Sequence, residues 1–302
     1  MPYTHHSHSG QFCHHATGQL EEVVLSAIKK GFHTIGLTEH MPRFSEDDLY
    51  PEEIEAKCTP QSLQKTFEDF LVEARRLQQA YKSQISILVG CEIEFITIQY
   101  KQYIADLRQE HGIDYVVGSL HHVHGIPIDF SPELYATALE KHQGNLHDLF
   151  ASYFDEQYQM LQAVHPEVVG HFDLIRIFRT EPNAGINEAV WDKITRNVEL
   201  VISYGGLFEI NSRAWKKGLK DAYPQRDVFK LILDRGGKFT LSDDSHGPKD
   251  VGLYYNKLQA YLREMGVESL YYLALDDQGK TIVREHKDAA EDAFWTKILE
   301  QE

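Results

Sequence analysis

The first fifteen residues hold His5, His6, His8, His14 and His15, five of the chain's 17 histidines. His6 and His8 alternate, so on a β-strand both imidazoles project from one face and can share a metal ion. His14 or His15 can loop back toward a second ion. Ser7, Ser9, Gly10 and Gln11 interrupt the run, unlike an affinity tag, and a helix-patterned segment follows directly. Taken alone, the stretch reads equally well as a metal site and as an idle polar terminus.

Similar residues recur at the ends of strand-like apolar runs. The run 34–38 ends in Glu39-His40, and 85–94 acquires Glu92 and Glu94 only at its end. The run 115–121 ends in His121, with His122 and His124 beyond. His171 and Asp173 close 168–173, Asn211 closes 207–211, and 238–242 leads into Asp243, Asp244 and His246. The candidate ligands are therefore His6, His8, His15, His40, Glu92, His121, His171, Asp244 and His246. A single histidine after a strand is more often hydrogen-bonded in a loop, so the weight lies in their convergence. Seven imidazoles and two carboxylates exceed one tetrahedral zinc, which takes about four ligands, and suit two or three ions with bridging carboxylates. Imidazole with carboxylate and no thiolate favours divalent Zn, Fe or Mn, with Ni a further possibility, over calcium. Cys13 and Cys91 are read as non-ligands, Cys91 because it should face away from Glu92.

The elements that must position these residues alternate. Helical spacing marks 19–30, 61–82, 98–110, 146–164, 187–203 and 227–235, each between two strand-like runs. Strand-then-helix order predicts a parallel α/β sheet with crossover helices. At least six strands deliver a polar or ionisable residue at the C-terminal end. A closed barrel gathers such ends at one mouth, whereas an open sheet gathers them mainly at one crevice. The expected fold is one distorted TIM-like barrel over 1–302, with the site at the C-terminal ends of its strands. Residues 41–60 and 125–144 read as insertions or lid-like loops. The tail is expected to add a strand over 269–275 and a helix near 289–299.

Hydrophobic residues at 42% supply a large core, and no run is long and apolar enough to span a membrane. Three cysteines without a CxxC pair suit a reducing compartment, and no signal or transit pattern is evident, so a cytoplasmic protein is expected. A formal charge of −16 disfavours nucleic-acid backbones as partners. A small anionic substrate remains compatible if bound cations invert the field locally.

The H-S-H opening, T-E-H at 38–40, Glu92, S-L-H at 119–121, G-H-F-D at 170–173 and D-S-H at 244–246 resemble the polymerase-and-histidinol-phosphatase (PHP) family. G-I-P-I-D-F at 125–130 and E-I-N-S at 209–212, followed by Lys216 and Lys217, are similar to its histidinol-phosphatase branch, closest to the fungal form. The resemblance implies a distorted seven-stranded (β/α) barrel and a trinuclear centre. His6, His8, Glu92 and Asp244 would hold one ion. His15, His40 and His246 would hold a second, and Glu92, His121 and His171 a third. His14 remains an alternative to His15, and His122 to His121.

Such a centre would hydrolyse a phosphate monoester by attack of a metal-bridging hydroxide, without a phosphoenzyme. Glu92, Asp244 and His246 carry the catalytic role in this reading. Arg43, Arg176, Arg213, Lys216 and Lys217 follow strand ends and are candidate phosphate contacts, with Asn211 and Ser212 adding hydrogen bonds. L-Histidinol phosphate is the expected small-molecule substrate, which would place the enzyme in histidine biosynthesis. Acids of the 41–55 loop are one source of partners for its cationic nitrogens. The alternatives are another phosphoesterase of the same family, acting on oligonucleotides or phosphotyrosine, and a non-catalytic metal-binding protein.

Overall fold

The computed structural model describes residues 2–179, 181 and 183–299. Its strands are β1 (Tyr3–Thr4), β2 (Ser7–His8), β3 (Thr34–Leu37), β4 (Ser86–Ile93), β5 (Tyr115–Gly118), β6 (His122–Val123) and β7 (Ile126–Pro127). There follow β8 (Val168–Val169), β9 (Leu207–Asn211), β10 (Lys238–Ser242), β11 (Ser245–His246), β12 (Ser269–Leu275) and β13 (Thr281–Lys287). Seven form one parallel sheet in the order β1-β3-β4-β5-β8-β9-β10. β2 continues β1 and pairs in parallel with β11, which follows β10, setting His8 opposite His246. The first and last strands of the sheet thus meet, and the expected α/β barrel is the fold observed.

Both faces of the strands are buried, as a parallel sheet covered by helices requires. Alternation sorts the side chains. Ile87, Val89, Cys91 and Ile93 of β4 join the large core with Phe67, Phe70 and Leu77 of the helix Pro60–Tyr81. Leu88, Tyr115, Val117, Val168 and Leu207 form a separate small cluster within the barrel. Following those inward positions along each strand leads from apolar to polar: Leu88 to Glu92, Tyr115 to Ser119 and His121, Leu207 to Glu209 and Asn211. The barrel therefore has an oily floor and an ionisable mouth. Tyr115 fills the floor, and its hydroxyl donates to His5 O at 2.7 Å. A Cβ on Gly36 would stand 1.8 Å from that hydroxyl oxygen, so only glycine fits beside it.

The helices start where local chemistry satisfies their first amides. Thr59 accepts from Ser62 N before Pro60, and Asn145 and Asn187 cap Leu146–Val164 and Glu188–Tyr204. The segments expected to be insertions are more ordered than loops. Residues 41–60 contain the short helix Pro51–Glu55. Residues 125–144 include β7, which pairs antiparallel with β6, and the helix Pro132–Lys141, where Ser131 Oγ accepts from Leu134 N. That Ser-Pro start signal lies inside polar sequence, which hid it.

In the tail, β13 was not anticipated. Its alternation carries charges, as suits an exposed strand, and it pairs antiparallel with β12. Leu273 of β12 joins the inner cluster, so this hairpin closes the floor. The expected helix over 289–299 is a 3-10 turn, Ala289–Glu291, followed by a separate helix, Phe294–Leu299. Asp292 Oδ1 accepts from Phe294 N at this restart. No helix among the described residues is long and apolar enough to cross a membrane.

Candidate metal centre

Five imidazoles surround the carboxylate of Glu92. Oε2 lies 3.1 Å from His6 Nε2, 3.2 Å from His8 Nε2 and 3.1 Å from His40 Nδ1. Oε1 lies 3.2 Å from His121 Nε2 and 3.0 Å from His171 Nε2. Asp244 Oδ1 stands 3.7 Å from both His6 Nε2 and His8 Nε2. These side chains come from β1–β2, β4 and the segments following β3, β5, β8 and β10, so closure of the barrel assembles them. Asp244 has φ 46°, a left-handed conformation that aspartate tolerates better than most residues, and Asn211 Nδ2 donates to its Oδ2.

The donor set fits metal ions. His6, His8 and Asp244 converge, as do Glu92, His121 and His171, each group holding ligand atoms within 4.8 Å of one another. Two ligands about 2.0–2.2 Å from one ion stand roughly 3.0–3.5 Å apart, the spacing found around Glu92. His6 Nε2, both nitrogens of His8 and both of His40 are buried without a hydrogen-bond partner. Buried polar atoms are normally satisfied, and cations would satisfy His6 Nε2, His8 Nε2 and His40 Nδ1, the nitrogens beside Glu92 Oε2.

The rings of His15 and His246 lie 5.0 Å apart, and those of His15 and His40 5.4 Å. His15 thus faces the cluster while His14 Nε2 approaches Cys58 Sγ at 3.4 Å. His121 points inward, whereas His122 packs against Tyr50. His5 faces the floor, where its Nε2 accepts from Leu273 N and burial lowers its pKa to about 3. Cys13, expected to stay apart, reaches the rim. Its Sγ groups with His8 and His40, and it lies 3.3 Å from His15 Nε2.

Three further carboxylates hold the imidazoles from behind. Glu209 Oε2 is 3.1 Å from His6 Nδ1, Glu94 Oε2 is 3.1 Å from His121 Nδ1, and Glu39 Oε2 is 3.5 Å from His8 Nδ1. An ionised carboxylate only accepts, so Nδ1 of His6 and of His121 bears hydrogen and Nε2 faces the centre, while Glu39 stands at ion-pair distance from His8. Alternation could have found two of them: Glu94 shares a face with Glu92, and Glu209 with Asn211. The carboxylates also set the electrostatics. Burial opposes charge on His6, but Glu92, Asp244 and Glu209 raise its pKa well above the usual value. Burial likewise opposes His8, yet Glu39 and Glu92 lift it to about 9. Burial would raise the Glu92 carboxyl, and His6, His121 and His40 instead hold it well below the usual range.

Beside this cluster opens a cavity of about 310 Å³. Arg43, Arg213 and Lys217 line it, whereas Arg176, Lys216, Asn211 and Ser212 do not. Arg43 is committed to Glu53 at 2.7 Å and Glu94 at 3.3 Å. Arg213 bonds Asp244 O and Asp250, and Lys216 also reaches Asp250. Arg176 is held by Asp173 at 2.6 Å beneath Tyr223. Asn211 braces Glu209 and Asp244, and Ser212 donates to Leu253 O. Lys217 has no ion-pair partner among the described residues.

The PHP domain family matches residues 4–213. A probable histidinol-phosphatase of Schizosaccharomyces pombe is 46% identical, covering 99% of this chain and 97% of its own. Histidinol-phosphatase of Saccharomyces cerevisiae is 32% identical, covering 98% and 100%. A solved structure from Listeria monocytogenes, provisionally assigned the same activity, superposes with TM-score 0.74 at 25% identity, covering 84% of this chain and 99% of that one. The histidinol phosphate phosphatase of Lactococcus lactis, solved with Zn, L-histidinol and phosphate, superposes with TM-score 0.65 at 20% identity, covering 93% and 98%.

Proposed function

The chain belongs to the PHP family, and from that premise we propose that it is a metal-dependent phosphatase hydrolysing L-histidinol phosphate to L-histidinol and phosphate. One observation carries the chemistry. A buried carboxylate ringed by five imidazoles borders a cavity large enough for a small phosphate ester. The names of full-length relatives support the substrate.

Two or three divalent ions, zinc among them, suit the donors. We assign His6, His8, Glu92 and Asp244 to the first, His15, His40 and His246 to the second, and Glu92, His121 and His171 to the third. Bound there, such ions would supply Lewis acidity toward the phosphoryl oxygens and a nucleophilic water at neutral pH.

The chain's own residues do the rest. Glu92 offers one oxygen to each side of the cluster and holds the imidazoles at one spacing. Glu94 and Glu209 fix the tautomers of His121 and His6, and Glu39 adds negative charge beside His8. Lys217, exposed at the cavity wall with no ion-pair partner among the described residues, and Arg213, which shares Asp250 with Lys216, are the cations nearest to hand for phosphate. Arg43 and Arg176 act instead through the carboxylates they hold. Of the three basic residues lining the cavity, two are thus already paired, which suits a monoester better than a polyanion.

With metal content measured on the same sample, kcat/KM for L-histidinol phosphate is expected to exceed that for p-nitrophenyl phosphate by roughly 10²-fold or more. Equal values would reduce the protein to an unselective phosphoesterase. For Glu209→Gln, metal affinity is expected to fall about 10–100-fold with the fold retained, because an amide can also donate and no longer fixes the His6 tautomer. Competition against a chelator, with circular dichroism as the folding check, measures it; undiminished affinity would remove Glu209 from the site.

A further inference from the structure

Six acidic residues line the cavity: Glu39, Glu52, Glu53, Glu92, Asp129 and Asp244. Five are engaged. Glu39 holds Ser9, Glu52 binds His15 at 2.7 Å, Glu53 binds Arg43, and Glu92 and Asp244 face imidazoles. Asp129 alone has no hydrogen-bond or ion-pair partner among the described residues. Its placement is nonetheless firm. The preceding residue, Ile128, is fully buried, and its backbone N–H donates to His121 O at 2.8 Å, which ties the segment to a strand end of the centre. The carboxylate lines the cavity together with Tyr50 and Tyr223, and these two and His122 feel its charge. Phe130 beside it is 41% exposed, and its ring lies 6.2 Å from that of Tyr50, forming an apolar lip.

A carboxylate that lines the cavity beside a phosphate-binding centre, with no cation of its own among the described residues, is placed to accept an incoming positive charge. We infer that Asp129 determines substrate selectivity by accepting the cationic nitrogen end of an aminoalkyl phosphate. In L-histidinol phosphate the ammonium sits on the carbon next to the esterified one, so phosphate and cation are held a few bonds apart. The 41–55 loop acids, expected to take this role, are already paired where they line the cavity. The inference rests on the phosphatase reading above and adds a residue and a ligand class to it.

The test compares the holoenzyme with Asp129→Asn and Asp129→Glu on L-histidinol phosphate and on p-nitrophenyl phosphate, which has no cation. For Asp129→Asn the ratio of the two kcat/KM values is expected to fall roughly 10–100-fold, mostly through KM, as loss of a charged hydrogen bond predicts. Inhibition by L-histidinol should weaken in parallel and inhibition by inorganic phosphate should not. Asp129→Glu should recover part of the ratio. 2-Aminoethyl phosphate, lacking the imidazole, shows whether the ammonium alone is read. An unchanged ratio, whether both rates hold or both fall, would overturn the inference and leave the phosphatase reading standing. Wild-type protein inactive on every phosphate monoester would overturn the phosphatase reading itself, and the inference with it.

Discussion

Replacing Glu92 by Gln is expected to eliminate phosphate release and to strip metal from the protein at the same time. The carboxylate presents Oε2 to His6, His8 and His40 and Oε1 to His121 and His171, all at 3.0–3.2 Å. The amide keeps the shape but loses the charge, and its nitrogen presents hydrogens where a cation should sit. Losing a partner behind a metal ligand costs about 10–100-fold, so losing a ligand shared between ions should exceed about 10²-fold in activity. Glu92 is also 2% exposed. With protons on the imidazoles instead of cations, removing this anion should destabilise the fold by about 3–5 kcal/mol, as breaking a buried ion pair does. Elemental analysis, phosphate release and thermal denaturation of one preparation check the three effects together. A Glu92→Gln protein that retained activity with full metal content would sink the centre as drawn.

Chelation is expected to have the second large effect. Prolonged dialysis against a strong chelator should abolish activity, and zinc, manganese or iron should restore it, with the fold retained throughout. Reloading should release protons. Burial disfavours charge on His6, His8 and His121, but the carboxylates beside them win: Glu92 and Asp244 for His6, Glu39 and Glu92 for His8, Glu94 and Glu92 for His121. These imidazoles therefore hold protons near neutral pH unless a cation takes their place, and His8 does so up to about 9. A metal must displace each proton, so apparent affinity should rise with pH from 6 to 8 and fall in acid. An indicator dye in weakly buffered solution counts the released protons. Activity persisting after complete metal removal would exclude metal-dependent hydrolysis.

Much of this architecture was legible residue by residue. At least six strands ending in polar or ionisable residues implied a barrel, because closure is what brings such ends to one mouth. The inward alternation of β4, from Leu88 to Glu92, and the outward turn of Cys91 follow from a period of two. The strand β13 and the helix Pro132–Lys141 have no such signal for a different reason. Charged alternation and a polar start look like loop until a partner supplies the apolar side.

The substrate contacts were the hardest to read. Arg43, Arg176, Arg213, Lys216 and Lys217 all follow strand ends, and although the family resemblance favours Arg176 and Lys217, nothing local separates a free cation from a paired one. Folding pairs Arg43 with Glu53 and Glu94, Arg176 with Asp173, and both Arg213 and Lys216 with Asp250, and Lys217 has no ion-pair partner among the described residues. The same sorting singles out Asp129 among the acids. An ion-pair partner far away in sequence has no local signature.

By itself, the sequence determined the kinds of donor, the strand ends that carry them and the family whose motifs they share, since each depends on residue type and local period. The tertiary structure decided that His15 lies beside His40 and His246 while His14 turns to Cys58, that His121 reaches Glu92 while His122 packs against Tyr50, and that Glu94 and Glu209 orient the rings of His121 and His6. Those choices depend on side-chain direction and on neighbours brought together only when β2 pairs with β11 and the barrel closes. Contacts made across that closure are non-local, and no spacing along the chain encodes them.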